Sequence, residues 1–345
     1  MNCNAMVLED FNRPLVKKSI EIKEPVGEEV VIKILAAGMC GTDLGISRGI
    51  ELKPGFKLPM VLGHENVGKI ISTGTNVKNF NIGDIVAVYP AWGCGNCRWC
   101  HNGFPNLCPY QTTPGQTGYN GGYAEYMMVP SYRWLYNIGK LKPVDIAPLV
   151  DAGTTSMGAV LKILPSLLPS STVIINGIGG IATYAVQILR ALAPYVRIIA
   201  VSRKPEHLQF ASKLGADIAI TPAELPGLID KETHGSGVDA AIDLVSTADT
   251  IPLLNKLLTV NGKLVLVGAY GSSAPIDVFP TMVYQHSIMG SNYGTYENMV
   301  DVINMYARKF IKSYVVKRQL EEANKGLMDM ASGVIIGRQV IVQNE

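Results

Sequence analysis

The chain has 345 residues, a length that favours two domains. Only 17% of the residues are charged and 48% are hydrophobic, a composition that excludes an intrinsically disordered chain. The formal net charge of +2 is too small for a nucleic-acid-binding surface, so we expect no nucleic-acid partner.

Short β-like runs separated by glycine and proline fill the chain up to about residue 150. The runs span residues 29–36, 67–73, 85–89 and 123–129, with turn residues at 53–55 and 81–84. This pattern is typical of a β-rich, partly barrel-like domain. The N-terminus carries the acidic Glu9 and Asp10 and has no apolar signal-peptide core, so we expect a cytoplasmic protein.

Two residues of this region are candidate ligands of a catalytic zinc ion. Cys40 lies in the segment Gly-Met-Cys-Gly-Thr-Asp, and His64 lies in Gly-His-Glu-Asn. A catalytic zinc needs about three protein ligands and one open position. A single cysteine or histidine is usually an ordinary core or surface residue, but the two together, ahead of a nucleotide-binding domain, indicate metal chemistry.

Four of the six cysteines cluster in a lobe at residues 93–109. They are Cys94, Cys97, Cys100 and Cys108. In a cytosolic protein such clustering favours a metal over disulfides, and four thiolates complete the tetrahedral shell of a structural zinc. Reduced thiols or disulfides are the alternative. A filled shell has no open position, so this zinc would take no part in the chemistry.

Strands and helices alternate from about residue 152 onward. We predict strands at Thr172–Asn176, Arg197–Val201, 218–221, 240–244 and 263–268, a helix ending at Leu192 and another at Pro205–Leu214. The alternation predicts a parallel sheet with right-handed crossovers. From about residue 287 short mixed elements return, and they end in a strand at 339–342.

The longest stretch without a charged residue spans 163–189, which is long enough for a membrane span of about 20 residues. It contains two prolines and three glycines, so we predict a buried strand, a turn and a helix, and no membrane partner.

A glycine-rich turn lies in this stretch, directly after a predicted strand and at the start of a predicted helix. It contains Gly177, Gly179, Gly180, Ile181 and Ala182, which fit the pattern Gly-x-Gly-x-x-Ala. The first glycine allows a tight turn, the second admits a pyrophosphate, and the helix N-terminus favours the anion. Glycines that only pack the helix against the strand are the alternative.

The next predicted strand ends in Ser202, Arg203 and Lys204. NAD sites usually place a carboxylate here, where it binds the 2′-hydroxyl of the ribose. A hydroxyl and two cations attract a 2′-phosphate instead, so we predict NADP in preference to NAD. The alternative is that Arg203 and Lys204 form a solvated loop.

Together these motifs resemble the zinc-dependent medium-chain alcohol dehydrogenase family over the whole chain. Gly-His-Glu at 63–65, Cys-Gly-Thr-Asp at 40–43, the four-cysteine spacing and the glycine-rich turn occur in the family's order. Segments 114–117, 151–158 and 290–294 are similar to archaeal D-arabinose (aldose) 1-dehydrogenases of this family. The resemblance implies an α/β fold: a β-rich GroES-like catalytic domain at 1–151, a doubly wound Rossmann dinucleotide-binding domain at 152–287, and a return to the catalytic domain at 288–345.

The resemblance also implies a catalytic zinc held by Cys40, His64 and Asp151, with Glu65 as an occasional ligand. Many family members have cysteine where this chain has Asp151. The exchange keeps the charge of the ligand but replaces a soft donor with a hard one. A helix N-cap is the alternative role of Asp151.

By the same resemblance, Thr42 accepts the proton of the substrate hydroxyl, and Gly45 stands where classical members often have a proton-relaying histidine. Further residues are implied to bind the cofactor: Thr155, Gly268, Ala269, Ser291, Asn292 and Arg338. Of these, Arg338 would bind the pyrophosphate, with a surface cation as the alternative.

The implied reaction transfers hydride from C1 of an aldose, such as a D-arabinose-like pentose, to NADP or secondarily NAD, and gives a lactone. The polar stretch 111–123 could face the sugar with Gln116, Tyr119 and Asn120. One alternative is a broad primary and secondary alcohol dehydrogenase whose apolar pocket uses Trp92. Another is a non-enzymatic zinc- and nucleotide-binding protein, against which the retained zinc ligands argue. The hydrophobic content of the chain is higher than the buried strand, turn and helix explain, which predicts an oligomer interface. The family resemblance implies that the oligomer is a homotetramer.

Overall fold

The computed structural model describes residues 1–50, 53–268 and 273–343, and these form two compact units. The first unit comprises Met1–Asp151, Thr295–Ala307 and Ser313–Glu345, and the second comprises Ala152–Gly294 and Arg308–Lys312. The chain returns to the first unit at Thr295, later than the predicted position 288. The reason is that the strand Ser287–Gly290 belongs to the parallel sheet of the second unit.

Strands and helices of the described residues are numbered in chain order. The strands are β1 (Asn2–Leu8), β2 (Val16–Glu21), β3 (Val30–Met39), β4 (Met60–Val61), β5 (Glu65–Thr73), β6 (Ile85–Val88), β7 (Tyr126–Val129), β8 (Leu135–Asn137), β9 (Thr172–Asn176), β10 (Arg197–Val201), β11 (Ile218–Ile220), β12 (Val238–Asp243), β13 (Leu258–Leu266), β14 (Ser287–Gly290), β15 (Val315–Arg318) and β16 (Arg338–Val342). The helices are α1 (Gly41–Ser47), α2 (Arg98–His101), α3 (Pro143–Ile146), α4 (Ala152–Ile163), α5 (Ala182–Leu192), α6 (Pro205–Leu214), α7 (Leu225–Thr233), α8 (Thr250–Lys256), α9 (Val278–Val283), α10 (Tyr296–Ala307) and α11 (Ala323–Ser332). The predicted bounds of β9, β10 and α6 are confirmed.

In the first unit β3 is the central strand, and it pairs antiparallel with β5, β7 and β16. The larger sheet runs in the order β15-β16-β3-β5-β6-β8, and β1, β2 and β4 form a smaller one. Because β3 has neighbours on both edges, nearly all of its residues are buried, as its long apolar run predicts. The first unit is therefore β-rich, as expected, although β3 extends beyond the predicted end at residue 36 to Met39.

The second unit has one parallel sheet in the order β11-β10-β9-β12-β13-β14. Counted from β9, this is the Rossmann order 3-2-1-4-5-6, whose ligands bind beyond the carboxyl ends of the strands where the order reverses. All of β9 is buried, which accounts for the charge-free stretch from the end of α4 through α5. None of the helices in the described ranges combines the length and apolarity that a bilayer crossing requires.

Candidate metal and dinucleotide sites

Four side chains of the first unit converge on one point. Ligand atoms of Cys40, His64, Glu65 and Asp151 all lie within 4.8 Å of one another. Cys40 lies between β3 and α1, His64 and Glu65 lie at the start of β5, and Asp151 immediately precedes α4. His64, Glu65 and Asp151 are buried, and Cys40 is partly buried. The structure thus brings together the four residues that the sequence assigned to the catalytic zinc.

Two glycines make room for this cluster. Gly38 pairs with Glu65 across β3 and β5, and a Cβ on Gly38 would lie 1.9 Å from Oε2 of Glu65. Gly63 has a φ of +96°, and a Cβ there would lie 2.4 Å from the ring of Tyr123. A left-handed backbone and such close approaches both require glycine. The glycine of the Gly-His-Glu motif is therefore a steric requirement of the site.

A second carboxylate orients His64. Its Nδ1 lies 3.3 Å from Oδ1 of Asp43, and its Nε2 lies 3.1 Å from Oδ2 of Asp151. Oδ2 of Asp43 in turn accepts hydrogen bonds from the N–H of Cys40 at 2.9 Å and the hydroxyl of Tyr123 at 2.8 Å. A carboxylate on one ring nitrogen fixes the orientation of a metal-binding histidine. Sequence reasoning missed Asp43 and Tyr123, and the only signal for them was the position of Asp43, three residues after Cys40.

Arg338 contacts Glu65 rather than solvent. A guanidinium nitrogen of Arg338 forms a buried ion pair with Oε1 of Glu65. Burial raises the pKa of Glu65, and the charge of Arg338 opposes that shift. The surface-cation alternative for Arg338 is therefore wrong, because the residue is 6% exposed. Its predicted contact with the pyrophosphate stays a prediction.

The donor set of the cluster suits zinc. Thiolate, imidazole and carboxylate are the ligand types that zinc takes in proteins. Three protein ligands on a tetrahedral zinc ion leave the fourth position open for substrate. Oε2 of Glu65 is buried and has no hydrogen-bond partner in the described part of the chain, a condition that a nearby cation would relieve. Oγ1 of Thr42 lies 3.6 Å from Sγ of Cys40, so its hydroxyl stands beside the cluster. Gly45 lies within α1 and has no side chain to continue a proton relay.

The four-cysteine lobe forms a second metal-type cluster, with its sulfur atoms also within 4.8 Å of one another. Among the described residues all six cysteines carry free thiols, so the disulfide alternative is wrong. The backbone N–H of Cys100 lowers the pKa of Cys97 to about 7, while burial and the neighbouring thiols raise the pKa of Cys100 to about 12. Thiols packed this closely resist joint ionisation unless a cation balances them. A Cβ on Gly93 would lie 2.6 Å from Sγ of Cys100, so the lobe has no spare room there.

The glycine-rich turn lies at the carboxyl end of β9, where the sheet order reverses. Gly177 has a φ of +92°, and a Cβ on it would lie 2.5 Å from Cγ2 of Val245. Nothing within the described ranges lies within 4 Å of a Cβ built on Gly179, so a ligand can approach the backbone there. Gly180 and Ile181 complete the turn, and the hydroxyl of Ser156 donates to the carbonyl of Ile181 at 2.8 Å. This geometry fits a pyrophosphate site.

The other described residues assigned to the cofactor lie in the second unit, as the glycine-rich turn does, apart from Arg338. Thr155 is buried in α4, and Gly268 packs against the backbone of Val245. Ser291 and Asn292 follow β14, and Ala269 lies outside the described residues. Ser202, Arg203 and Lys204 follow β10, where the N–H of Lys204 lies 3.4 Å from Oγ of Ser202 and Arg203 is exposed.

The polar stretch predicted to face the sugar is mostly buried. The amide oxygen of Asn120 accepts a hydrogen bond from the N–H of Val61 at 3.1 Å, so this group supports the backbone. Gln116 is buried, and the ring of Tyr119 packs edge-on against Trp92 with centroids 5.3 Å apart. That this stretch faces the substrate stays a prediction.

Comparison with known proteins shows that the chain is similar to dehydrogenases over nearly its whole length. The chain matches the family models described as alcohol dehydrogenase GroES-like domain, over residues 27–140, and zinc-binding dehydrogenase, over residues 180–308. It is 45% identical to D-arabinose 1-dehydrogenase (NADP(+)) from Saccharolobus solfataricus, over 98% of this chain and 97% of the relative. It is 36% identical to an NAD-dependent alcohol dehydrogenase from Sulfurisphaera tokodaii, over 98% and 99%.

Solved structures agree with the sequence relatives. The D-arabinose dehydrogenase from Sulfolobus solfataricus superposes with a TM-score of 0.90 at 42% identity, covering 99% of this chain and 100% of that one. The alcohol dehydrogenase from Aeropyrum pernix superposes with a TM-score of 0.92 at 32% identity, with the same coverage.

Proposed function

This chain belongs to the zinc-dependent medium-chain alcohol dehydrogenase family, and from that membership we propose that it is an NADP-dependent aldose 1-dehydrogenase. In the proposed reaction, C1 of a cyclic D-arabinose-like pentose or related sugar loses hydride to NADP, and its hydroxyl loses a proton. The products are a lactone, NADPH and a proton. The observation that carries the proposal is the cluster of Cys40, His64, Glu65 and Asp151 in a chain that also contains a Rossmann sheet.

Each residue of the cluster has a distinct part in this chemistry. Cys40, His64 and Asp151 would hold the ion, and Glu65 lies close enough to act as an occasional ligand. Zinc bound there supplies Lewis acidity, which polarises the substrate hydroxyl and lowers its pKa. The hydroxyl of Thr42 accepts the proton that this group releases and at the same time passes its own proton on, to water or to a ribose hydroxyl of the cofactor.

NADP is proposed as the hydride acceptor on two grounds. Ser202, Arg203 and Lys204 follow β10 without a carboxylate that would repel a 2′-phosphate. The relative at 45% identity is named as NADP-dependent. The pyrophosphate would lie on the turn from Gly177 to Ile181, at the N-terminal end of α5.

The sugar substrate is supported by the same relative, a D-arabinose 1-dehydrogenase. The second candidate is a broad NAD(P)-dependent primary and secondary alcohol dehydrogenase. The 36% identity to an NAD-dependent alcohol dehydrogenase and the buried Trp92 favour it. Retention of Cys40, His64 and Asp151 in one cluster argues against a protein without catalytic activity.

We also propose that copies of the chain pair through the edge of the parallel sheet, and that such pairs form the homotetramer that the family resemblance implies. Helix α9 exposes a group of large apolar side chains, among them Val278 at 73% and Phe279 at 71%. Strand β14 is the sheet edge that follows α9, and an edge strand presents unpaired backbone groups. A second copy of the chain would cover both. The six free thiols favour a reducing compartment, so we place the enzyme in the cytoplasm.

Initial rates with NADP and NAD test the function. The substrates are D-arabinose, L-fucose, D-glucose, 2-propanol and benzyl alcohol, with the protein supplied with zinc. We expect kcat/KM for an aldose with NADP to exceed the simple-alcohol values by orders of magnitude, because a sugar site leaves polar groups unpaired when hydroxyls are missing. Higher values for the simple alcohols would favour the second candidate, and absence of turnover with every substrate would refute both.

A further inference from the structure

Lys53 is a partly buried ammonium for which no motif supplies a role. Its Nζ lies 3.2 Å from Oγ1 of Thr113, a fully buried threonine. The same oxygen lies 3.2 Å from Nε2 of Gln111. Two N–H donors therefore meet at one buried hydroxyl of the first unit.

The loop that accepts the hydrogen bond of this ammonium packs beside the residues that precede His64, since a Cβ on Gly115 would lie 2.8 Å from the backbone nitrogen of Gly63. Burial lowers the pKa of Lys53 to about 8, and the negative charge of Asp151 opposes that shift. The chain beyond Thr113 folds onto the residues that precede His64, since the N–H of Gly122 donates to the carbonyl of Gly63 at 2.8 Å. Asp151 itself contacts His64 at 3.1 Å. Lys53 thus contacts a loop that packs against Gly63, and its ammonium is influenced by the charge of Asp151, which contacts His64.

We propose that Lys53 is a specificity-determining residue that donates a hydrogen bond to the C2 hydroxyl of the aldose. The inference rests on the proposed function, because it needs a sugar whose C1 hydroxyl reaches the metal cluster. The oxygens nearest to that hydroxyl in a cyclic aldose are the ring oxygen and the C2 hydroxyl, and the hydroxyl is the better acceptor. An ammonium carries three N–H donors on a rotating group, so it can meet a hydroxyl over a range of orientations.

A donor in this position selects sugars over simple alcohols. When 2-propanol occupies the site, it offers methyl groups where a sugar has its C2 hydroxyl, so the ammonium loses hydration without gaining a further acceptor from the substrate. Sites that use a buried polar donor reject analogues lacking the matching hydroxyl by orders of magnitude. The charge of Lys53 would therefore act on the choice of substrate, while the metal ligands and Thr42 act on the shared C1 chemistry.

The test compares the wild type with Lys53→Met, which removes the ammonium and keeps the length of the stem. Lys57→Met is the matched control, because Lys57 is an exposed lysine of the same segment. The substrates are D-arabinose, 2-deoxy-D-ribose, which is D-arabinose without its C2 hydroxyl, and 2-propanol. We expect Lys53→Met to lower kcat/KM for D-arabinose about 10- to 100-fold, the range of a hydrogen bond to a charged group. The values for 2-deoxy-D-ribose and 2-propanol should change far less, and Lys57→Met should behave as wild type.

Equilibrium readouts separate specificity from a structural role. Calorimetric binding of D-arabinose to the NADPH complex should weaken by the same factor in Lys53→Met, with zinc content and melting temperature unchanged. Equal losses for all three substrates, loss of zinc, or a lowered melting temperature would overturn the inference. Unchanged D-arabinose kinetics in Lys53→Met would overturn the inference about Lys53 and would not affect the proposed function. A wild-type enzyme that oxidises alcohols but no aldose would overturn both.

Discussion

Replacement of Asp151 by asparagine removes a charged ligand while preserving the size of the side chain. Oδ2 of Asp151 lies 3.1 Å from Nε2 of His64, within the cluster whose ligand atoms span 4.8 Å. The variant would face a divalent ion with the thiolate of Cys40 and no carboxylate at position 151. Glu65 can replace it only in part, because Oε1 of Glu65 is already engaged by Arg338.

The expected loss follows from the role of the ligand. Removal of a group that only hydrogen-bonds to a zinc ligand weakens metal affinity about 10- to 100-fold. Removal of a ligand itself should reach at least the upper value, about 100-fold or about 2.7 kcal/mol. The four-cysteine lobe is a separate cluster and should keep its ion. Dialysis against a chelator should therefore reduce zinc from about two to about one per chain, one for each cluster that remains intact.

Metal analysis by mass spectrometry, paired with initial rates, measures both consequences. Asp301→Asn, at an exposed position in α10, is the control and should keep two ions and full activity. Asp151→Cys restores the ligand common in the family and should regain the second ion. If Asp151→Asn retains two zinc ions and its activity, Asp151 is not a zinc ligand and the reasoning from the cluster is refuted.

Three further predictions address the surroundings of the two sites. Asp43→Asn should weaken zinc binding at the cluster about 10- to 100-fold, because His64 loses its orienting partner; competition with a chelator measures this, and unchanged affinity would contradict it. Ser202→Asp should lower the ratio of kcat/KM for NADP to that for NAD by about tenfold or more, about 1.4 kcal/mol, through repulsion of the 2′-phosphate; a preserved ratio in initial rates would place the phosphate elsewhere. Phe279→Asp should reduce the mass measured by light scattering. The control is Met328→Asp, at an exposed position in α11 of the first unit, and it should leave the mass unchanged. Equal masses for Phe279→Asp and wild type would exclude α9 from the interface.

The secondary structure of the parallel sheet is largely predictable from the sequence. Strands β9 and β10 are short, nearly continuous apolar runs, because parallel strands are covered on both faces. The sequence does not predict strand β14 as part of this sheet, since β14 lies at the edge, is only partly buried and has no strong apolar pattern. The predicted return to the first unit therefore falls at residue 288 rather than at Thr295.

Most candidate ligands are also visible in the sequence, because Cys40, His64 and the four-cysteine lobe stand in short motifs, whereas Asp151 is implied by the family resemblance. The residues that support them are different in kind. Tyr123 and Asp43 are 80 positions apart, and Lys53 and Thr113 are 60 positions apart. No local pattern connects such pairs, since sheet register and loop packing create their contacts.

The ion pair between Arg338 and Glu65, separated by 273 positions, shows how register builds the site. Gly38 on β3 pairs with Glu65 on one side and with Val340 of β16 on the other. Two registers on a single strand therefore bring the start of β16 to the start of β5. Without Arg338, Glu65 would lose the largest of the protein's own charges that oppose its burial penalty. Residues up to Asp151 therefore do not complete the metal-binding unit. The buried charge of Glu65 in that unit is paired with Arg338, which lies on the last strand of the chain.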